Sequence, residues 1–332
     1  MIDITCPFPF SVNPHARQAR EHLEAWTREN GLLRGARARE RFARADFGWF
    51  AALVYPTADA EALDLMAEWF AWLFLVDDQL DDGAFGRSPK RMAQAVALMR
   101  EILGDPAPPL DTALPPAAVA LADLWRRTAR RASPRWRARF ARHLEQCLIT
   151  ATVWEAENRV SGSVPTEESY IANRRHTGAI YVCMDLIETA ENVEVPAPSY
   201  DTPAFEAALN AACDVVCWAN DVYSLAKERA LGEVHNLVYI VGHHRRLDER
   251  QALETVCSAI AARTEDYLTA EKELRREHPR DAPWLEPTLA GMRSWMRGNL
   301  DWSQRTERYA SDFARDGADT QYLEAALMEV GQ

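Results

Sequence analysis

Helical periodicity constrains this chain more than any other feature. Ala, Leu, Arg and Glu fill long stretches, apolar positions recur three or four residues apart, and β-branched runs of period two are nearly absent. The pattern predicts helices over about 14–30, 36–53, 58–82, 88–103, 115–131, 134–160, 167–191, 203–229, 234–244, 248–277 and 284–315. The breaks carry turn chemistry: five prolines between Asp105 and Pro116, the loop Ser161–Pro165, and three prolines between Val195 and Pro203. Thr166 ahead of Glu167 and Glu168 reads as a helix N-cap. No break is long enough for a flexible linker and no repeat recurs, so residues 1–332 are expected to form one all-α domain. Its central helices are apolar on most faces, as in the middle of a large bundle.

Composition narrows the function. The 38 Lys+Arg against 50 Asp+Glu leave a formal charge of −12, which argues against nucleic acid as a partner. The longest apolar run, Trp69 to Val76, is eight residues, far short of the roughly 20 that span a bilayer. The opening MIDITCPFPF lacks a cationic n-region and an apolar h-region, so cytoplasmic residence without membrane attachment is expected. Six cysteines are scattered without a CxxC pair. Cys213 and Cys217, four apart, read as buried thiols in a reducing compartment rather than a zinc site.

Two motifs carry chemistry. The apolar run ends in Asp77-Asp78-Gln79-Leu80-Asp81-Asp82, where Asp77 and Asp81 share a helix face. Four carboxylates in six residues repel one another, and a helix C-terminus is the negative end of its dipole. Hard Mg²⁺, which prefers carboxylates, phosphate oxygens and water, relieves both penalties; a solvated acidic helix end is the plain alternative. In the second motif, Asn220, Ser224 and Glu228 at i, i+4 and i+8 drift by only about 80° and make one oxygen-bearing stripe. Amide oxygen, hydroxyl and carboxylate would form a three-point Mg²⁺ site open to a phosphorylated ligand, although an ordinary amphipathic helix can carry such a stripe. Lys227, one of three lysines in the chain, stands beside it.

Together the motifs resemble the aspartate-rich motif and the NSE triad of class I terpene synthases (terpene cyclases), in particular the bacterial single-domain type. They lie 143 residues apart, as in that family. The family's diphosphate-sensing arginine, 46 residues before the triad's Asn, corresponds to Arg174, and the linker and effector positions after it are Thr177 and Gly178. Its Arg-Tyr pair, 80 residues after the triad's Glu, corresponds to Arg308-Tyr309, preceded by Asn299 and Trp302. The likeness runs from about Pro7 to Tyr309. Thr177 departs from it, standing where some members carry an acid, and Asp82 is given no role.

The resemblance implies the class I terpenoid synthase fold, a helical bundle around a deep central cavity. It implies a lyase with Asp77, Arg174, Gly178, Asn220, Ser224 and Glu228 as catalytic residues. Three Mg²⁺ would be held by Asp77, Asp81, Asn220, Ser224 and Glu228, and the substrate diphosphate by Arg174, Lys227, Arg308 and Tyr309. Because the diphosphate contacts lie on separate segments, the site is expected to be open without ligand, with segment 310–332 closing on binding.

An allylic diphosphate ionises when charge on its leaving group is neutralised, and the carbocation left behind needs a dry pocket with π-faces. Counting back from Asp77 gives Phe74, Leu73 and Phe70 as pocket wall, and Trp295, Trp302 and Tyr309 form an aromatic stripe. Phe74 and Trp302 are expected to face the cation, clear of the leaving group, with core packing as the alternative. A well-filled wall (Phe70, Trp72, Phe74, Trp302) favours farnesyl diphosphate and a sesquiterpene. Leu73, where relatives often carry a bulkier aromatic, points to geranylgeranyl diphosphate and a diterpene. A prenyl diphosphate synthase would carry a second aspartate-rich motif, and a class II cyclase a DxDD motif. A non-catalytic helical interaction protein would leave the spacing of Arg174, Asn220, Ser224, Glu228 and Arg308 unexplained. The one macromolecular partner envisaged is a second copy, in a homodimer. His235, His243 and His244 lack an acidic partner at ligand spacing and are expected to be bland.

Overall fold

The computed structural model describes residues 4–81, 88–104, 114–278, 282–309 and Met328. Among them run fifteen α-helices and no strand. The first six are α1 (Ala16–Glu29), α2 (Ala36–Ala45), α3 (Phe47–Val54), α4 (Ala60–Asp81), α5 (Pro89–Ile102) and α6 (Pro116–Ala129). Then come α7 (Pro134–Ile149), α8 (Glu155–Ser161), α9 (Glu167–Thr177), α10 (Ile180–Ala190) and the short α11 (Ala197–Tyr200). The last four are α12 (Pro203–Leu231), α13 (Leu237–Arg245), α14 (Glu249–Glu277) and α15 (Leu285–Arg305). No helix among the described residues is long and apolar enough to cross a membrane.

Central α4 buries Trp69, Phe70 and Trp72 on several faces. Its buried Glu68 is held by Arg127 of α6 and by His22 Nε2 of α1 at 2.6 Å, as a buried carboxylate requires. Helix α12 starts where Thr202 accepts the Phe205 N–H and Pro203 presets the first turn, and it stops at Gly232, whose φ of +74° a side chain would resist.

Four predicted helices are interrupted. The span 36–53 breaks at Asp46 (φ +54°), whose carboxylate accepts the Trp49 N–H to cap α3 and is clamped by Arg20 at 2.7 and 2.5 Å. The span 167–191 breaks at Gly178 and Ala179, where Ala179 has φ +53°. A non-glycine residue there costs about 1–2 kcal/mol. What holds it is α10, pinned from outside by buried Arg139, which bonds Asp185 at 2.8 Å and also Glu188. The span 134–160 passes through a π-turn at Thr150–Trp154. The last helix ends at Arg305, and Glu307–Tyr309 form a 3₁₀ turn; residues 310–315 of that prediction lie outside the described residues.

Candidate active site

The C-terminal halves of α4 and α12, the α9–α10 break and the turn after α15 converge on one cavity of about 1380 Å³. Helix α4 brings Asp77 and Asp78 to it, α12 brings Asn220, Ser224, Lys227 and Glu228, α9 brings Arg174 and Thr177, and Gly178 follows in the α9–α10 break. Arg308 and Tyr309 enter from the last turn, and Phe70, Leu73, Phe74 and Trp302 form part of the wall. The Asp81 side chain and Asp82 lie outside the described residues.

The polar end is densely paired. Arg174 donates from Nη2 to Asn220 Oδ1 (2.9 Å) and from Nε to Asp221 Oδ1 (3.0 Å). Asn220 Nδ2 donates to the Tyr309 hydroxyl at 2.6 Å. Arg308 donates to both oxygens of Asp78, at 3.0 and 3.4 Å. The expected open arrangement is therefore not what the described residues adopt: Arg308 and Tyr309 already engage the ends of α4 and α12. The physical reason is burial, since a guanidinium removed from water needs a counter-charge and Asp78 supplies it. The expected closure by 310–332 lies outside the described residues, Met328 apart.

Burial, reinforced by the charge of Asp78, raises the Asp77 pKa to about 7. Asp78 goes the other way: burial opposes ionisation, but Arg308 and Lys227 together hold it below the usual carboxylate range. Glu228 is raised by burial and then by the charge of Asp221. Ser224 Oγ, between Asn220 and Glu228 on the same helix face, is buried without a hydrogen-bond partner. An orphaned hydroxyl flanked by an amide oxygen and carboxylates that resist ionisation suits a hard divalent cation.

Phe50 is the centre of the aromatic wall. It stacks on Trp302 (4.2 Å, 11°) and lies 5.0 Å from Phe70 and 5.6 Å from Trp295. Phe47 stacks on Phe74 at 4.4 Å. Trp302 is fully buried, its Nε1 donating to Ala45 O at 2.8 Å. The Arg308 guanidinium carbon sits 4.8 Å over the Phe74 ring, so Phe74 is in contact with a residue expected to hold the diphosphate rather than clear of that end of the site. Tyr309 is on the turn rather than on α15, with its ring edge-on to Trp302 at 5.7 Å. Across the cavity stand Cys183 and Cys217, thiols that burial keeps protonated, Cys217 being pushed up to about 12. Cys213 is likewise buried, and none of the six cysteines is in a disulfide.

Two cavity residues carried no signal in the sequence, Phe50 and Glu155, which follows the π-turn; Asp78 stood in the acidic motif but was given no role of its own. Asp221 is fully buried and accepts from Tyr170 OH (2.7 Å), Leu237 N (3.0 Å) and Arg174. Its place beside Asn220 was the only clue. His235 does have an acidic partner, Glu233 at Nδ1, because a loop at i−2 brings it there.

The family model described as "Terpene synthase family 2, C-terminal metal binding" matches residues 68–279, well over half the chain. The chain belongs to the terpene synthase family. It is a lyase of the terpene cyclase type and uses a divalent metal, Mg²⁺. It is 35% identical to (+)-T-muurolol synthase of Roseiflexus castenholzii, covering 92% of each chain. It is also 35% identical to pentalenene synthase of Streptomyces exfoliatus, covering 97% of each. Among solved structures, linalool/nerolidol synthase from Streptomyces clavuligerus superposes with a TM-score of 0.81 at 26% identity, over 91% of this terpene synthase and 100% of that chain.

Proposed function

We propose that this terpene synthase ionises farnesyl diphosphate and cyclises the resulting cation to a sesquiterpene, releasing diphosphate. The observation that carries the reading is one cavity with two ends: oxygen donors and cations at one, stacked aromatic rings at the other. The T-muurolol synthase relative is described as cyclising farnesyl diphosphate, which supports the C15 substrate.

Mg²⁺, three ions in this reading, would be held by Asp77, Asp81, Asn220, Ser224 and Glu228, and when bound it neutralises charge on the diphosphate. The chain does the rest. Arg174, Lys227, Arg308 and Tyr309 donate to the diphosphate oxygens and hold the leaving group as its negative charge develops. Gly178 leaves room for this: a Cβ there would meet Arg174 Nη1 at 2.9 Å. Phe50, Phe70, Phe74 and Trp302 exclude water and offer π-density to the cation. The protonated thiols of Cys183 and Cys217 are poor nucleophiles and leave the cation free to cyclise.

One domain over 1–332, a reducing cytoplasmic setting that suits six cysteines outside any disulfide, and a homodimer belong to the same proposal. Incubating the protein with Mg²⁺ and geranyl, farnesyl or geranylgeranyl diphosphate tests it, with gas chromatography of the hydrocarbons and assay of released diphosphate. A cyclic C15 product from farnesyl diphosphate is expected. A cyclic C20 product alone would favour the diterpene reading, to which Leu73 on the wall and the cavity volume lend some room. No diphosphate release from any of the three would overturn the proposal.

A further inference from the structure

Asn236 lies outside every motif legible in the sequence, yet its side chain reaches the triad. It is the last residue of the loop between α12 and α13, it caps α13, and it is 1% exposed. Its Nδ2 donates to Glu228 Oε2 at 2.8 Å and to the backbone oxygen of Asp221 at 2.7 Å. Its Oδ1 accepts the N–H of Val238 at 2.9 Å and of Tyr239 at 3.4 Å. Both amide protons and both lone pairs are thus committed, and the partners fix which end is nitrogen.

We propose that Asn236 is a positioning residue for the metal site: its amide holds the Glu228 carboxylate at the angle from which it meets a divalent cation. This rests on the proposed metal role of Glu228. Three observations carry it. Glu228 sits at the C-terminal end of a 29-residue helix, three residues before the helix stops, where backbone restraint is weakest. One of its oxygens is fixed by Asn236, which leaves the other for the cavity that Glu228 lines. The same amide nitrogen grips the backbone of Asp221, whose carboxylate binds Arg174, Tyr170 and Leu237, so one side chain ties both ends of the triad to one anchor. A cap alone would need only the Oδ1 bonds. The two Nδ2 bonds are surplus to capping and aim at the site.

Groups of this kind, which orient a ligand without touching the ion, are typically worth about 10–100-fold in metal affinity or activity. The test uses the full chain, with Mn²⁺ plus inorganic diphosphate as the probe, titrated by calorimetry. Asn236→Ser keeps an oxygen able to cap α13 but is too short to reach Glu228; Asn236→Ala loses both functions. Positioning predicts that both variants weaken Mn²⁺–diphosphate binding by at least about tenfold, while only Asn236→Ala melts appreciably lower without metal. Turnover of farnesyl diphosphate by Asn236→Ser should recover as Mg²⁺ is raised. Wild-type affinity in Asn236→Ser would reduce the residue to a cap and overturn the proposal, as would loss of its cooperative melting transition. Failure of the wild-type protein itself to bind the probe would instead overturn the metal reading on which this one rests.

Discussion

Asp77 and Asp78 are neighbours whose protonation is pulled in opposite directions, and the difference is Arg308. Asp78 accepts its guanidinium and ionises readily; Asp77, without that partner, is raised from 3.8 to about 7. The linkage sign follows. Between about pH 4 and 7 the folded, metal-free protein keeps a proton on Asp77 that the unfolded chain has released, so this contribution to stability is full below pH 4 and lost as pH rises through 7. Urea unfolding of metal-free protein across that range should show the decline, and Asp77→Asn should flatten it. In the presence of Mg²⁺ the same substitution should lower kcat by at least about 100-fold, as loss of several kcal/mol of charge neutralisation requires. Unchanged kcat would remove Asp77 from the metal site. At this scale the sequence was legible wherever roles fall at fixed helical spacing, as for Asn220, Ser224 and Glu228. It was silent where partners are made by tertiary folding: Arg308 reaches Asp78 across 230 residues, and Asn236 reaches Glu228 around a turn.

Helices α3 and α15 cross closely enough that Gly298 has no room for a side chain; a Cβ there would lie 2.8 Å from the backbone of Leu53. That approach sets Phe50 of α3 flat on Trp302 of α15. Gly298→Ala should therefore destabilise the fold by about 1–3 kcal/mol and, by parting the stack, alter the ratio of hydrocarbon products. A lowered melting temperature with an unchanged product ratio would mean that the stack does not shape the cation's path. The two wall residues should also separate. Phe74→Leu, next to Arg308, should change kcat as well as products, whereas Trp302→Leu, deep in the wall, should act on stability and products. Equal effects of the two on kcat would contradict this division. Element type was readable from period and caps, but the breaks at Asp46 and Ala179 were not. Each puts a non-glycine residue at positive φ, a cost covered by Arg20 at the first and by the buried Arg139 network behind the second, both distant in sequence.

For the whole molecule, helix content and a buried bundle interior followed from apolar patterning and the central cavity only from the family resemblance, whereas the cavity's contents did not follow, because empty space is defined by side chains from helices up to hundreds of residues apart. If the proposed single domain holds, near- and far-ultraviolet circular dichroism should report one coincident unfolding transition; two separated transitions would divide the chain. The Ala45 carbonyl accepts from the Trp302 indole and from the Thr306 hydroxyl, partners 257 and 261 residues later. During synthesis at about 5–20 residues per second, α3 leaves the ribosome roughly 13–50 s before the helix that covers it. Until then the face of Phe50 on which Trp302 comes to stack has no cover, and the newborn chain presents that ring to solvent and to chaperones before the cavity wall exists.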